Sequence, residues 1–338
     1  MSATTPETMI AAWYEAFGPA RDVLNVGQLP TPQPGPGEVL VRLGASGLNP
    51  HDVKKRSGWM GGTLQTAKVI PHGDGAGIIW AVGDGVANDL LGKRVWIFGG
   101  SYAHAGAGTS AEFVAVPATQ ALALPDTMSF EQGACLGVPA FTAYYALLVD
   151  GPVTGQDILV QGGAGAVGSV AIELARWNGA RVTATVSSDE KAEVARAAGA
   201  DEIVNYNTED TVARIMEITN GRGVDRIVEV DFGANIAINA AVLTSNGTLA
   251  SYSSTRVREP VFAYYDFAMK GCRLHLVQAM TMPNAVRVEA ARVIMALLSR
   301  DMLKPRIAHT FALDDIADAH ELLESGTAIG NIVVTLPD

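Results

Sequence analysis

Gly163, Gly165 and Gly168 fall in the spacing G-x-G-x-x-G inside ILVQGGAGAVGSVAIELARWNGARVTATV, residues 158–186. The apolar run 158–160 reads as a strand, the stretch through Trp177 as a helix, and the β-branched run 182–186 as a second strand. A glycine fingerprint that follows a strand and opens a helix has a mechanism. The first glycine permits the tight turn, the second lets backbone approach a pyrophosphate, and the third lets helix and strand close on each other. The amides that begin the helix, from Ala166 and Val167 onward, would face the phosphates with the positive end of the helix dipole. A glycine-rich turn in an unrelated βα unit is the competing reading, and the flanking strand and helix favour dinucleotide binding.

Two further groups could do chemistry. A unit built for NAD carries Asp or Glu about 20 residues beyond the fingerprint to hold the ribose hydroxyls. Here the second strand ends Val186-Ser187-Ser188, with Lys191 after it and Tyr206 at the end of the next strand. Hydroxyls and an ammonium suit a dianionic 2′-phosphate, so NADP(H) is expected. Asp189 opposes this, because a carboxylate turned back toward the ribose favours NADH. The other group is Asn49, His51, Asp52, Lys54, Lys55 and Arg56, in a segment, 44–58, that reads as a loop held between strands.

The elements that must position these residues divide in character near residue 126. Before it, short apolar runs at 11–17, 38–43, 93–98 and 112–116 read as strands, joined by a proline-rich connection and the glycine-rich 71–85. After it, strands and helices alternate. Ser129 and Ser188 cap helices, and a helix at 234–243 is closed by Asn246 and Gly247. This alternation predicts a doubly wound parallel sheet with helices on both faces. The tail beyond residue 283 has no place in that sheet and is expected to return to the first domain. A length of 338 residues suits two domains.

Composition bounds the function. The net charge of −11 disfavours nucleic acid or an anionic membrane as the main partner. No run of about 18 apolar residues suggests a membrane span. The polar segment 1–8 shows no secretory pattern. Cys135 and Cys272 are the only cysteines and lack metal-type spacing, so two reduced thiols in a cytoplasmic protein are expected.

With these pieces in order the chain resembles the medium-chain dehydrogenase/reductase superfamily, in the zinc-free quinone oxidoreductase branch that includes zeta-crystallin. The matching segments are GLNPHDVKKRSG, GDGAGIIWAVGDGV, GVPAFTAYYAL, ILVQGGAGAVG, GVDRIVEV and AHELLESGTAIGNIVV. The resemblance implies an α/β protein with a Rossmann cofactor domain at 127–281 and a discontinuous, β-rich GroES-like catalytic domain at 1–126 and 282–338. Zinc-dependent relatives carry Cys where Asn49 stands and His where Gly73 stands, so no metal is expected, and His72 reads as a polar residue flanking a strand.

The implied activity is hydride transfer from NADPH to a quinone; reduction of an enal or enone is the near alternative, and a crystallin-like or RNA-binding role the distant one. Asn49 and Thr142 match positions beside the nicotinamide. Lys54 stands where many relatives have a tyrosine, which leaves proton delivery open between Lys54, Asp52, His51 and water. Phe262, Tyr264, Tyr265 and Trp59 are candidates for an aromatic substrate lining. The expected cofactor residues are thus Asn49, Thr142, Gly163, Gly165, Ala166, Val167, Gly168, Ser187, Lys191, Tyr206 and Ser253. A homodimer or homotetramer is implied, paired through the last sheet strand near residues 274–279.

Overall fold

The computed structural model describes residues 4–59, 61–64 and 66–337; residues 1–3 of the polar N-terminal segment lie outside them. In chain order the elements are β1 (Thr8–Trp13), α1 (Ala20–Val23), β2 (Asn25–Pro30), β3 (Glu38–Leu48), α2 (Pro50–Arg56), β4 (Asp74–Val82), β5 (Arg94–Ile97), β6 (Phe113–Pro117), β7 (Ala121–Ala123), α3 (Phe130–Ala134) and α4 (Gly137–Leu148). There follow β8 (Asp157–Val160), α5 (Ala166–Trp177), β9 (Arg181–Val186), α6 (Asp189–Ala197), β10 (Glu202–Asn205), α7 (Thr211–Ile218), β11 (Val224–Glu229), α8 (Phe232–Val242), β12 (Leu243–Ser251), α9 (Tyr264–Ala268), β13 (Arg273–Leu276) and α10 (Asn284–Leu298). The chain ends on β14 (Ile307–Ala312), α11 (Ile316–Ser325) and β15 (Asn331–Thr335).

Two compact units result, Met1–Val138 with Pro305–Asp338, and Pro139–Lys304. The breaks expected at 126/127 and 281/282 both fall earlier in the chain than these. At the first crossing α3 packs on β3 and β4: a Cβ added to Gly47 of β3 would stand 2.0 Å from the Ala134 carbonyl oxygen. At the second, α10 stays with the parallel-sheet unit. Its Glu289 and Arg292 act on Tyr144 of α4, and the Lys304 amide donates to Glu173 of α5 at 3.4 Å.

The second unit holds six parallel strands in the order β10-β9-β8-β11-β12-β13. The central strands β8 and β11 are almost wholly buried, as a sheet covered by helices on both faces requires. Strand order reverses between β8 and β11, and in such sheets ligands bind beyond the carboxyl ends of the strands flanking that point. One expected cap is misplaced: α8 ends at Val242, and Asn246 instead takes a left-handed conformation (φ 61°) within the irregular start of β12. Asparagine tolerates that region, so the same residue type served a different turn.

The first unit is a seven-stranded sheet ordered β14-β15-β3-β4-β5-β7, with β6 on β3, beside the hairpin-like pair β1-β2. Its core gathers Val39, Val41, Ile79, Val95, Val114 and, from the tail, Ile316, Ile332 and Val334. The strands of the tail thus return to this unit as expected, β15 lying antiparallel to β3. The segment 44–58 is not a loop. Strand β3 continues to Leu48, and α2 follows at once because Pro50 occupies its first turn and Asp52 Oδ2 accepts the Asn49 amide at 2.8 Å.

Candidate active site

The glycine turn joins β8 to α5, at the strand-order reversal. The residue that makes the sharp turn is Gly162 (φ 71°), one position before the first glycine of the motif. Gly163 is instead a packing residue: a Cβ there would stand 2.7 Å from that of Ala184 on β9. Gly168 lets α5 close on the turn, since its Cβ would meet the Gly162 carbonyl oxygen at 2.3 Å. Gly165 caps α5, is exposed, and has only the Gly162 oxygen within reach of an added Cβ, at 3.3 Å. Ala166 and Val167 follow, half-buried, as the first helical residues, whose amides lack acceptors inside the helix. This is a cradle that a phosphate fits and a side chain would fill. Reading the motif alone picked the second of two adjacent glycines; only the φ angle separates their tasks.

Past β9 the expected phosphate residues come together. Lys191 Nζ donates to Ser187 Oγ at 3.0 Å, one turn along, while Ser188 caps α6. The Tyr206 amide donates to Val186 O at 3.1 Å, and its ring is half-exposed. Asn207, which the sequence did not single out, fixes the turn by donating to Ser187 O at 2.8 Å. Asp189 is exposed in the first turn of α6.

At the end of β11 lies a second group missed from sequence. Buried Glu229 accepts from Asn239 (2.6 Å), Asn235 (2.9 Å), Gln161 (3.2 Å) and the Asp231 amide (2.5 Å), yet burial still pushes its acid group up from the ordinary range. Asp231 in turn holds the loop after β12, accepting from the Thr255 and Arg256 amides at 2.9 and 3.2 Å. Ser253 in that loop accepts the Phe232 amide at 2.9 Å. Gln161 lies 68 residues from Glu229 and 78 from Asn239 along the chain, beyond any local pattern. Thr142 is buried on α4 in this same unit. Tyr264 and Tyr265 are exposed near β13, and Phe262 stacks on Phe267 at 5.2 Å; Trp59 belongs to the first unit.

In the first unit Asn49 is buried at the start of α2, its Nδ2 donating to Asp74 Oδ2 at 2.8 Å. The same oxygen takes the Val138 amide at 2.7 Å, and Gly137 is required beside it, since a Cβ there would stand 2.0 Å from Asp74 Oδ1. Burial pushes Asp74 up to about 8 and Asp52 up to about 7. Lys54 holds its ammonium 4.7 Å from the centre of the Trp59 ring. His51 Nε2 is 2.7 Å from Tyr102 Oη, a partner not foreseen because it lies 51 residues away. Arg56 is buried, donating to Gly18 O and pairing with Glu324 of α11, a structural arrangement.

His72 does not flank a strand at the surface. It is buried in a left-handed conformation (φ 69°), with Nδ1 2.9 Å from Ser46 Oγ and Nε2 3.0 Å from Nε2 of His320. Burial drives it down to about 3, so both rings are neutral at pH 7. Zinc needs three or four N, S or O donors around one point. Among the described residues no group of three or more His, Cys, Asp or Glu side chains converges that way, and the space above Gly73 is taken by Ser101 Oγ, 3.1 Å from where a Cβ would stand. The residues present do not fit a catalytic zinc.

Comparison with known proteins agrees with this architecture. Residues 35–126 match the alcohol dehydrogenase GroES-like domain, and residues 166–294 the zinc-binding dehydrogenase family. The quinone oxidoreductase of Rattus norvegicus is 29% identical over 329 residues, covering 96% of each chain. A mycobacterial protein solved in complex with NADPH superposes with a TM-score of 0.84 at 27% identity, over 97% of this chain and 99% of that one. An NAD-dependent alcohol dehydrogenase superposes with a TM-score of 0.88 at 29% identity, over 97% of this chain and 100% of that one. Strand order, domain matches and full-length relatives make this chain a member of the medium-chain dehydrogenase/reductase superfamily, of the quinone oxidoreductase-like kind.

Proposed function

We propose that this enzyme is an NADPH-dependent, zinc-independent reductase of quinones. The relatives include quinone oxidoreductases and the solved neighbours include an NADPH complex. The observation that carries the cofactor choice is the Lys191–Ser187 contact of 3.0 Å at the end of β9, where an NAD site would present a carboxylate. Gly162 to Gly168 and the first amides of α5 hold the pyrophosphate; Ser187, Lys191 and Tyr206 hold the 2′-phosphate; Ser253 belongs to the loop that Asp231 fixes over the end of the sheet. The resemblance assigns the nicotinamide to Asn49, which Asp74 immobilises, and to Thr142.

When bound, the reduced nicotinamide supplies a hydride from its C4. The acceptor needs no Lewis acid if it spreads the incoming charge over a conjugated system, as a quinone or an enone does; an isolated ketone does need one. The protein's part is position and exclusion of water. Purified protein with NADPH should therefore oxidise it in the presence of a 1,4-quinone or an α,β-unsaturated ketone, and neither oxidise a simple alcohol with NADP+ nor gain activity on adding zinc. Cofactor binding without turnover of either acceptor class would refute the reading.

A further inference from the structure

Hydride addition leaves the acceptor one proton short. The tyrosine that the resemblance expects on α2 is replaced by Lys54, whose ammonium is drawn over Trp59. A tyrosine arrives from another element. Tyr102, in the turn 100–102 directly after β5, stacks on His51 with ring centres 5.8 Å apart and planes 29° from parallel, and its Oη lies 2.7 Å from His51 Nε2. Both residues stand at the same end of the sheet as Asn49. Strand β3 ends at Leu48, β4 begins at Asp74 opposite Gly47, and β5 ends at Ile97 opposite Gly75, while the Gly100 amide donates to Gly73 O at 2.7 Å. Tyr102 is 49% exposed while its hydroxyl touches His51.

We propose that Tyr102 gives the proton to the oxyanion of a reduced enone and that His51 resupplies it from solvent, an inference that rests on the reductase reading above. In an enone, hydride adds to the β-carbon and the C=C electron pair moves to the carbonyl oxygen as an enolate. The Tyr102 O–H bond breaks and its proton passes to that oxygen. The proton on His51 Nε2 moves to the Tyr102 oxygen as Nδ1 takes one from solvent, so both side chains end neutral with one solvent proton consumed, and exchange with solvent then returns His51 from its Nδ1–H to its Nε2–H form. The surroundings keep the pair in the required forms. Burial first, then Lys55 and Lys54, lowers His51 below its ordinary value; burial and Asp52 raise Tyr102 above its own. Lys55 Nζ lies 5.5 Å from the Tyr102 ring centre. At pH 7 the imidazole is neutral and the phenol protonated.

The pair matters most where the oxyanion is a strong base. An enolate needs a positioned acid, whereas a quinol anion is a weak base that water protonates. In the full-length protein, Tyr102→Phe should lower kcat for an enone by about 100-fold or more, the usual range for a lost general acid. It should leave the quinone rate within a few-fold and the NADPH dissociation constant unchanged. His51→Gln, which keeps an N–H toward Tyr102 but cannot pass a proton through, should fall with it on the enone. Independently of turnover, nitrogen NMR of the substrate-free protein should find His51 protonated on Nε2. The other tautomer, an unchanged enone rate in Tyr102→Phe, an equal loss on both acceptors, or a wild type that reduces quinones but no enone would each overturn the pair alone. A wild type that binds NADPH and reduces neither acceptor removes the function reading and the pair together.

Discussion

Asp74 shows how a buried acid governs a neighbour that does the work. Its Oδ2 takes both the Asn49 amide group and the Val138 N–H, which fixes the rotamer of Asn49. With its acid group held up to about 8, the folded chain keeps a proton that an unfolded Asp releases near pH 4. The folded state therefore binds more protons between these values, and the contribution of Asp74 to stability falls as pH rises through that window. Asp74→Asn imitates the protonated acid, so its unfolding free energy from urea titrations should depend less on pH between 5 and 8 than that of the wild type. On the cofactor side, Lys191→Glu should weaken NADPH binding by about 10- to 100-fold, the worth of one hydrogen bond to a charged group, and hardly change NADH; calorimetry on both nucleotides checks this. Ser187 and Lys191 were legible because they are four residues apart on one turn. Asp74 was not read as the partner of Asn49, because register between β3 and β4, not spacing, brings them together.

Among the elements, the glycine turn separates folding from binding. An alanine at Gly168 must push against the Gly162 carbonyl and should cost on the order of 1–3 kcal/mol of stability. An alanine at Gly165 finds ordinary backbone (φ −76°) and one close neighbour, the Gly162 oxygen at 3.3 Å, so melting should change far less than at Gly168 while NADPH affinity drops several-fold. Equal effects in thermal melts and nucleotide titrations would contradict these separate roles. The His72–His320 contact ties α11 to the start of β4. Both rings are held neutral, down to about 3 for His72, so the unfolded chain binds protons that the folded one refuses as pH falls below about 6.5. Stability from this pair is present at pH 7 and lost toward pH 5. His320→Phe should be less stable than wild type at pH 7, by a margin that narrows at pH 5, as denaturant midpoints will show. Strand and helix types were largely readable from periodicity. The helix α2 was not, because its start depends on a proline and a reciprocal hydrogen bond rather than on an apolar stripe.

For the whole molecule, β13 is the edge of the parallel sheet, with Leu274 44% and Leu276 70% exposed and Tyr264, Tyr265 and Met269 exposed beside it. An open apolar edge calls for a partner strand. If a second copy pairs there, light scattering should find more than one chain in the wild type and a smaller mass for Leu276→Lys. The sequence showed that the tail returns to the first domain but not where the crossings lie, because the packing of α3 and α10 is decided by contacts across the chain. No helix among the described residues is long and apolar enough to cross a membrane.

The place of β15 beside β3 has a consequence for biosynthesis. A ribosome releases the first half of this unit long before residues 331–335 exist, and until then the Ala45–Leu48 end of β3 lacks its neighbour, β6 pairing only with Glu38–Arg42. The parallel-sheet unit, continuous from residue 139 to 304, meets no such delay. Nascent chains should thus pass through a stage in which the dinucleotide fold is finished and an aliphatic sheet stands open, a stage at which chaperones have something to hold.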